Sequence, residues 1–552
     1  MKRALKIVGI IVAVLIVIAI AIPFFIDANS FRPKIESDLS TTLGRPVKVG
    51  NLSLSLLSGS VAADDISIAD DPAFSKSPFV QAKSLKVGVE LIPLIFSKSL
   101  NVTEMTLNEP EISLVRSQNG EKWNYSSLGG NNASASNPAS TSAPNSQPAS
   151  STPSNSAAPA TSSSSSNASL SVAKLNVNNG RLTVSRAGSA EKPRVYDKVV
   201  IEMSNFSFTT SFPFSMTARL PGDGTLKIDG KAGPIDPNDA AKTPLEAKVS
   251  VLKMNLAESG FIDPAAGISG IADFDGTVTS DGHEAKTSGT LRATNLQVVK
   301  KGSPAGKPVQ VNYTVNFDLA KQTGTIPQCD ITMGKAVAHL TGTYDAHGSV
   351  TSVNLKLNGQ GMPVDDLEAM LPALGVVLPP KSQLKGGDLN TEMAIVGPVD
   401  RLVTTGTVRM QNTTLANFNL GSKLSAISSL SGKSATTGND TTIQNFSSNV
   451  RVAPDGTRAD NINLTVPSIG VVTGAGTVSP SNELAFKLNA NVGGLGAVPI
   501  QVSGTTSDPK FMPDVKGMAS GLLKGALSGK SIPGGQNPVN NITGLFKKKP
   551  PQ

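Results

Sequence analysis

Cysteine occurs once in the chain, as Cys329. That excludes an intramolecular disulfide and a Cys-based metal site, so burial alone must hold the fold. Only three histidines are present, His283, His339 and His347, and none has a second ligand four residues on. Each therefore reads as a solvated or strand-face residue, and neither a zinc pair nor a catalytic triad is expected. The G-x-x-x-x-G-K-[ST], H-E-x-x-H and G-x-S-x-G patterns are missing, and with them the phosphate loop, the zincin helix and the nucleophile elbow. Carboxylates do adjoin at Asp64-Asp65, Asp70-Asp71 and Asp365-Asp366. Neighbours along a strand face opposite ways, so such a pair rarely makes one site. Asp70-Asp71-Pro72 reads first as a turn and only secondarily as a calcium site. Asp281-Gly282-His283-Glu284 reads as a hairpin turn. General acid–base chemistry draws on histidine or clustered carboxylates. No enzymatic activity, metal site or cofactor is expected.

Aromatic residues make up 4% of the chain, with a single tryptophan, Trp123. That is too few to stack bases, so no nucleic-acid partner is expected. Charge is also sparse: 16% of residues carry it, for a net +8. The excess is scattered in small clusters, Lys2-Arg3-Lys6, Lys300-Lys301 and Lys547-Lys548-Lys549. It reads as solvated surface. For the last cluster, contact with anionic lipid headgroups is the sharper alternative.

What is present begins with residues 7–26, an uncharged run with one proline, Pro23, preceded by Lys2, Arg3 and Lys6. About 20 apolar residues at ~1.5 Å rise cover the ~30 Å hydrocarbon core of a bilayer. The cationic flank belongs on the cytoplasmic side, which puts the body on the other. A cleaved signal peptide is the competing reading. Its small-x-small match, Ala19-Ile20-Ala21, lies inside the apolar run and is followed by Ile22-Pro23-Phe24-Phe25-Ile26, which favours a retained anchor.

Residues 27–44 predict a short helix, capped by Asn29 or Ser30, with Pro33 in its first turn and Gly44 as its stop. Phe31, Ile35, Leu39 and Leu43 share one face. Alternation with a period of two follows at Val47/Val49, Leu52/Leu54/Leu56, Ile66/Ile68, Leu85/Val87/Val89 and Ile112/Leu114, the pattern of strands with one apolar and one wet face. Residues 131–169 are almost wholly Ser, Ala, Pro, Asn and Thr, a disordered linker by composition. Strand patterns resume from 170 to 514, with a hairpin signal at Asn178-Asn179-Gly180. Phe206, Phe208, Phe212, Phe214 and Met216 share parity; if extended, they make an apolar face over about 11 residues, or ~35 Å. Ser288-Gly289-Thr290, Thr341-Gly342-Thr343, Thr405-Gly406-Thr407 and Ser503-Gly504-Thr505 are weak echoes of a strand-and-turn unit. Short helices are expected at 364–374, near Leu424, Ile427 and Leu430, and at 518–527. The domain division is then an anchor at 1–26, a β region with a helix at 27–130, the linker at 131–169, a β-rich body at 170–514 and a low-order tail at 515–552.

Several segments resemble the AsmA family of bacterial envelope proteins. They are Phe31-Arg32-Pro33-Lys34-Ile35-Glu36, Leu43-Gly44-Arg45-Pro46-Val47, Ile68-Ala69-Asp70-Asp71-Pro72-Ala73-Phe74, Pro78-Phe79-Val80-Gln81-Ala82 and Gly120-Glu121-Lys122-Trp123-Asn124-Tyr125. Near the end, Val498-Pro499-Ile500-Gln501-Val502-Ser503-Gly504-Thr505 through Phe511 is similar to the family's C-terminal region. The resemblance implies an inner-membrane-anchored protein with its amino terminus cytoplasmic and its body periplasmic. The family is linked to outer-membrane biogenesis, and its relatives form elongated β grooves thought to conduct phospholipids. Pattern and resemblance together predict a mainly β fold: an elongated, curled antiparallel sheet forming a groove, one N-terminal transmembrane helix and a few short capping helices. An apolar groove lining of Leu54, Leu56, Val87, Val89, Phe206, Phe208, Phe212 and Phe214 is expected to meet phospholipid tails. Parity alone describes a packed sandwich equally well. The alternative is an assembly factor for other envelope proteins, with a filled interior and an exposed apolar patch.

Overall fold

The structure, a computed structural model, describes residues 28–55, 59–90, 102–118, 120–128, 171–189, 192–236, 239–259, 262, 267–348, 350–423, 438–491 and 497–514. The expected anchor at 7–26, the linker at 131–169, the tail from 515 and the helices expected near 424–430 and 518–527 lie outside the described residues. Among those described, no helix is long and apolar enough to cross a membrane. The chain is mainly strand and divides into two compact units, the first built chiefly from residues up to Met362 and the second chiefly from Thr404 onward.

In the first unit, α1 (Arg32–Leu43) packs Ile35, Leu39 and Leu43 onto a cluster of Val47, Val49, Leu52, Ala63, Ile66 and Leu85. Pro33 sits in the first turn, where its missing N–H leaves no bond unmade. Gly44, at φ 66°, ends the helix in the left-handed conformation that a Cβ disfavours. Asn29 Oδ1 accepts the backbone N–H of Leu52 at 2.9 Å. It pins the start of the helical segment to a strand.

The strands of this unit are β1 (Val47–Lys48), β2 (Leu52–Ser55), β3 (Ser60–Ile68), β4 (Val80–Val89), β5 (Val102–Arg116), β6 (Ser171–Arg186), β7 (Arg194–Ser207) and β8 (Phe212–Arg219). They continue as β9 (Thr225–Ala232), β10 (Leu245–Asn255), β11 (Ser269–Ser280), β12 (Glu284–Gln297), β13 (Val309–Asp318), β14 (Thr323–Met333), β15 (Ala336–Asp345) and β16 (Ser352–Pro363). From β2 onward each strand pairs with the next. All these pairs are antiparallel except β5–β6, which is parallel from Glu104↔Lys174 to Arg116↔Arg186. The segments before and after 131–169 therefore share one sheet.

Register lines apolar residues up across the strands. One row runs Leu52, Ala63, Leu85, Leu107, Val177, Ile201, Met216, Ile228, Val249, Gly276, Gly289, Tyr313, Cys329. On the opposite face, Glu246, Thr279, Lys286, Asn316, Thr325, Thr343 and Asn354 form a polar row. A sheet with one greasy and one wet face must cover the former. This one does so partly by curling: Arg116 Nη2, at the end of β5, donates to Gln322 Oε1 in the β13–β14 turn at 3.2 Å, although β6 to β13 pair in between. Arg186 Nη1 likewise donates to the carbonyl of Gly348 at 3.5 Å.

One expectation fails here. The segment from Phe206 to Met216 is not one extended run: the chain reverses at 208–211 and β7 returns as β8, with Met203 opposite Phe214. The Ser/Thr-Gly-Thr echoes also differ from expectation. Gly289, Gly342 and Gly406 lie inside strands, opposite Tyr313, Leu355 and Val450.

The second unit carries β17 (Gln383–Lys385); β18 (Asp388–Pro398) is divided between the units. Then follow β19 (Val403–Ala416), β20 (Thr441–Ala453), β21 (Gly456–Val466), β22 (Gly470–Val478), β23 (Leu484–Asn491), β24 (Ala497–Gly504) and β25 (Pro509–Pro513). From β19 they form an antiparallel meander over a core of Val472, Ala490, Val498, Ile500 and Val502. The segment from Val498 to Phe511 is its last hairpin.

Candidate functional site

The expected lining residues lie at one end of the apolar face of the first unit. Val89 is buried, and Val87 packs on the cluster beneath α1. Leu54 pairs with Val61; Leu56 lies outside the described residues. The hairpin turn gathers three phenylalanines: the ring of Phe206 lies 5.3 Å from Phe208 and 5.0 Å from Phe212, which is buried. Phe214 is half-buried on the same face of β8 as Phe212. These rings pack mainly on each other.

A cavity of about 990 Å³ lies at the ends of β10 to β16, where Leu245, Ala285, Phe317, Tyr344 and Val353 supply apolar side chains. None of these was singled out by sequence parity. Phe317 and Tyr344 stack 5.8 Å apart and nearly parallel, at 4°. Between them in register stands Gly324, paired with both. A Cβ at Gly324 would collide with the Tyr344 ring; its absence lets the ring lie flat on the sheet. Phe274 and Tyr313 repeat the device, stacked at 6.0 Å above the Gly276–Gly289 pair. Rings lying on glycines give a broad apolar floor with little height. Among the glycines of this floor, Gly289 is the one that stood in the echoes read from the sequence, as Ser288-Gly289-Thr290.

The rim of this cavity is polar. Asp281, Asp318 and Asp345 each turn inward on their own hairpin. Asp281 accepts the N–H of Glu284 and of His283, Asp318 that of Lys321 together with its ammonium, and Asp345 the N–H and ring of His347. These donors hold all three carboxyls below the usual carboxylate range. Burial pushes the Tyr344 and Tyr313 hydroxyls up, so both rings stay neutral.

A second constellation lies beneath α1. Asp70 accepts Arg45 Nη1 at 3.1 Å, Asn124 Nδ2 at 2.9 Å and its neighbour's N–H, from Asp71, at 2.7 Å. Arg45 also donates to the Asn124 carbonyl and to Ser127 Oγ, and lies over the Phe79 ring. Asn124 closes the set by accepting the Val115 N–H at 3.0 Å and donating to the Ser113 carbonyl at 2.8 Å. All three side chains are buried. Asp71 turns away to Ser127 and Ala73, so the Asp70-Asp71 pair is taken up by protein donors and works as a clamp. Arg45, Asp70, Phe79 and Asn124 come from four of the segments that carry the family resemblance.

The sequence model of the AsmA family matches residues 1–283, over half of the chain. The protein belongs to the AsmA family. The match spans α1, the clamp and the sheet through β11, and leaves the rest of the cavity beyond its end. No curated protein and no solved structure matches the chain. Membership makes this an envelope-associated protein.

Proposed function

We propose that this AsmA-family protein binds phospholipid tails on the apolar face of its curled sheet and conducts them along it, as a non-enzymatic part of outer-membrane biogenesis. In this reading residues 7–26 anchor it in the inner membrane and the sheet stands in the periplasm. The observation that carries the proposal is the cavity of about 990 Å³ on the apolar face of the first unit. An assembly factor would be expected to fill that face with its own side chains. A hydrocarbon tail gains about 0.8 kcal/mol for each methylene removed from water, and the flat faces of the stacked rings offer it apolar contact.

The test is lipid recovery from the purified full-length chain, with Val353→Asp or Tyr344→Asp in the cavity compared against Thr341→Asp, an exposed polar-face position of β15 outside it. The proposal expects phospholipid in extracts of the wild type and of Thr341→Asp, and its loss from the other two. Repeated recovery of no lipid from the wild type would return the weight to assembly of envelope proteins.

A further inference from the structure

A smaller cavity of about 160 Å³ lies at the end of β5, β6 and β7, lined by Arg116, Arg186, Lys192 and Arg194 together with Trp123. Among the described residues that line it there is no carboxylate. The clustering is dictated by register. The parallel β5–β6 pair sets Arg116 directly beside Arg186, and Arg194 pairs with Val184, two residues before Arg186. Like charges in neighbouring register positions destabilise a sheet unless something offsets them. Arg116 donates to the Gly120 carbonyl and the Gln322 amide oxygen, and Arg186 to the Gly348 carbonyl, all neutral acceptors. Burial and the charge of Arg186 both press the Arg116 guanidinium downward from its ordinary pKa.

We propose that Arg116, Arg186, Lys192 and Arg194 form a binding site for a phosphate-class anion. Guanidinium forks match phosphate oxygens in pairs. The cavity lies below the roughly 300 Å³ where whole small-molecule sites begin, so it suits a phosphate group and not a nucleotide. Its position points the same way. Arg116 and Arg186 share parity with Leu114 and Val184, so the cations end the apolar face. Gln322 and Gly348, which they hold, belong to the turns beside Thr323 and Asp345 of the larger cavity. A phospholipid has this layout, hydrocarbon with phosphate at its end; in that form the inference rests on the lipid reading above, whereas a free phosphate ion would need only the cations.

The experiment uses the full chain in a neutral detergent. Its probes are inorganic phosphate against chloride at matched ionic strength, and micelles doped with phosphatidylglycerol or with diacylglycerol of the same chains. Arg186→Gln with Arg194→Gln is compared with wild type, and Arg186→Lys, which keeps the charge, guards against a folding defect. Phosphatidylglycerol should be retained about tenfold over diacylglycerol, and the preference should vanish in the double glutamine variant and survive in Arg186→Lys. Thermal stabilisation by inorganic phosphate, lost in the same variant and without preference between the lipids, would assign the site to the free ion. Equal behaviour of wild type and double variant with both phosphate and phospholipid would overturn the site. Failure of the wild type to retain either lipid, with phosphate binding intact, would sink the lipid reading and leave the anion site standing.

Discussion

At the scale of single residues, several acids of this chain are held by protein donors. Asp366 illustrates it. Its carboxyl accepts the Lys307 ammonium and the Lys335 N–H, which together hold it below the usual carboxylate range. The folded state therefore releases this proton more readily than the unfolded chain. The contribution to stability is complete above the ordinary carboxylate pKa of about 3.9 and disappears as pH falls through the lowered value. Asp366→Asn should lower the thermal midpoint at pH 7 and flatten its decline below about pH 4; parallel acid limbs for wild type and variant in a melting series would count against the assignment. The sequence supports the coarse point, since side chains of adjacent carboxylates diverge. It does not name Lys307, which lies 59 positions away and is brought near only by the packing of the sheet.

At the scale of elements, α1 and the alternation of strands were legible because a period of four and a period of two each need only neighbours along the chain. The β7–β8 hairpin was not, because Ser207-Phe208-Thr209-Thr210-Ser211 contains neither glycine nor proline to mark a turn. The outcome still brings Phe206, Phe208 and Phe212 together. Phe212→Asp puts a carboxylate among them, which costs several kcal/mol or keeps the group protonated, whereas Thr209→Asp adds a charge at an exposed turn. Denaturant unfolding should show a lowered midpoint for the first and almost none for the second; equal loss would mean that the cluster does not support the hairpin. The clamp beneath α1 makes a second case. Asp70→Ala strands the Arg45 guanidinium in a buried site, at about 3–5 kcal/mol. Replacing Arg45 by Met as well should recover a large part of that loss. A double variant as unstable as the sum of the single ones would show that the two side chains do not depend on each other. The motif segments were visible in the sequence; that three of them meet in one hydrogen-bonded set follows from the sheet, which brings 45, 70 and 124 together.

At the scale of the whole molecule, parity leaves a packed sandwich and an open face equally plausible. The difference is made by long-range closure within the first unit, where Arg116 reaches Gln322 across 206 positions, and by glycines that lay rings flat instead of stacking side chains upward. Neither leaves a periodic trace. Of the expected lining, Phe212 stands in the register row that runs through Ala232, Leu245, Ser280 and Ala285 to Phe317; the floor around Gly324 and Tyr344 carries no parity signal, because an isolated glycine reads as a turn or a weak strand. The family was legible at the amino-terminal end, where the motifs are dense. The most direct measurement places a photo-crosslinking residue at Val353 or at Thr341 of the full chain in living cells and identifies what is captured. The account predicts phospholipid acyl chains on the adduct from position 353 and none from position 341. Capture of protein alone at 353, or of lipid equally at both positions, would contradict it.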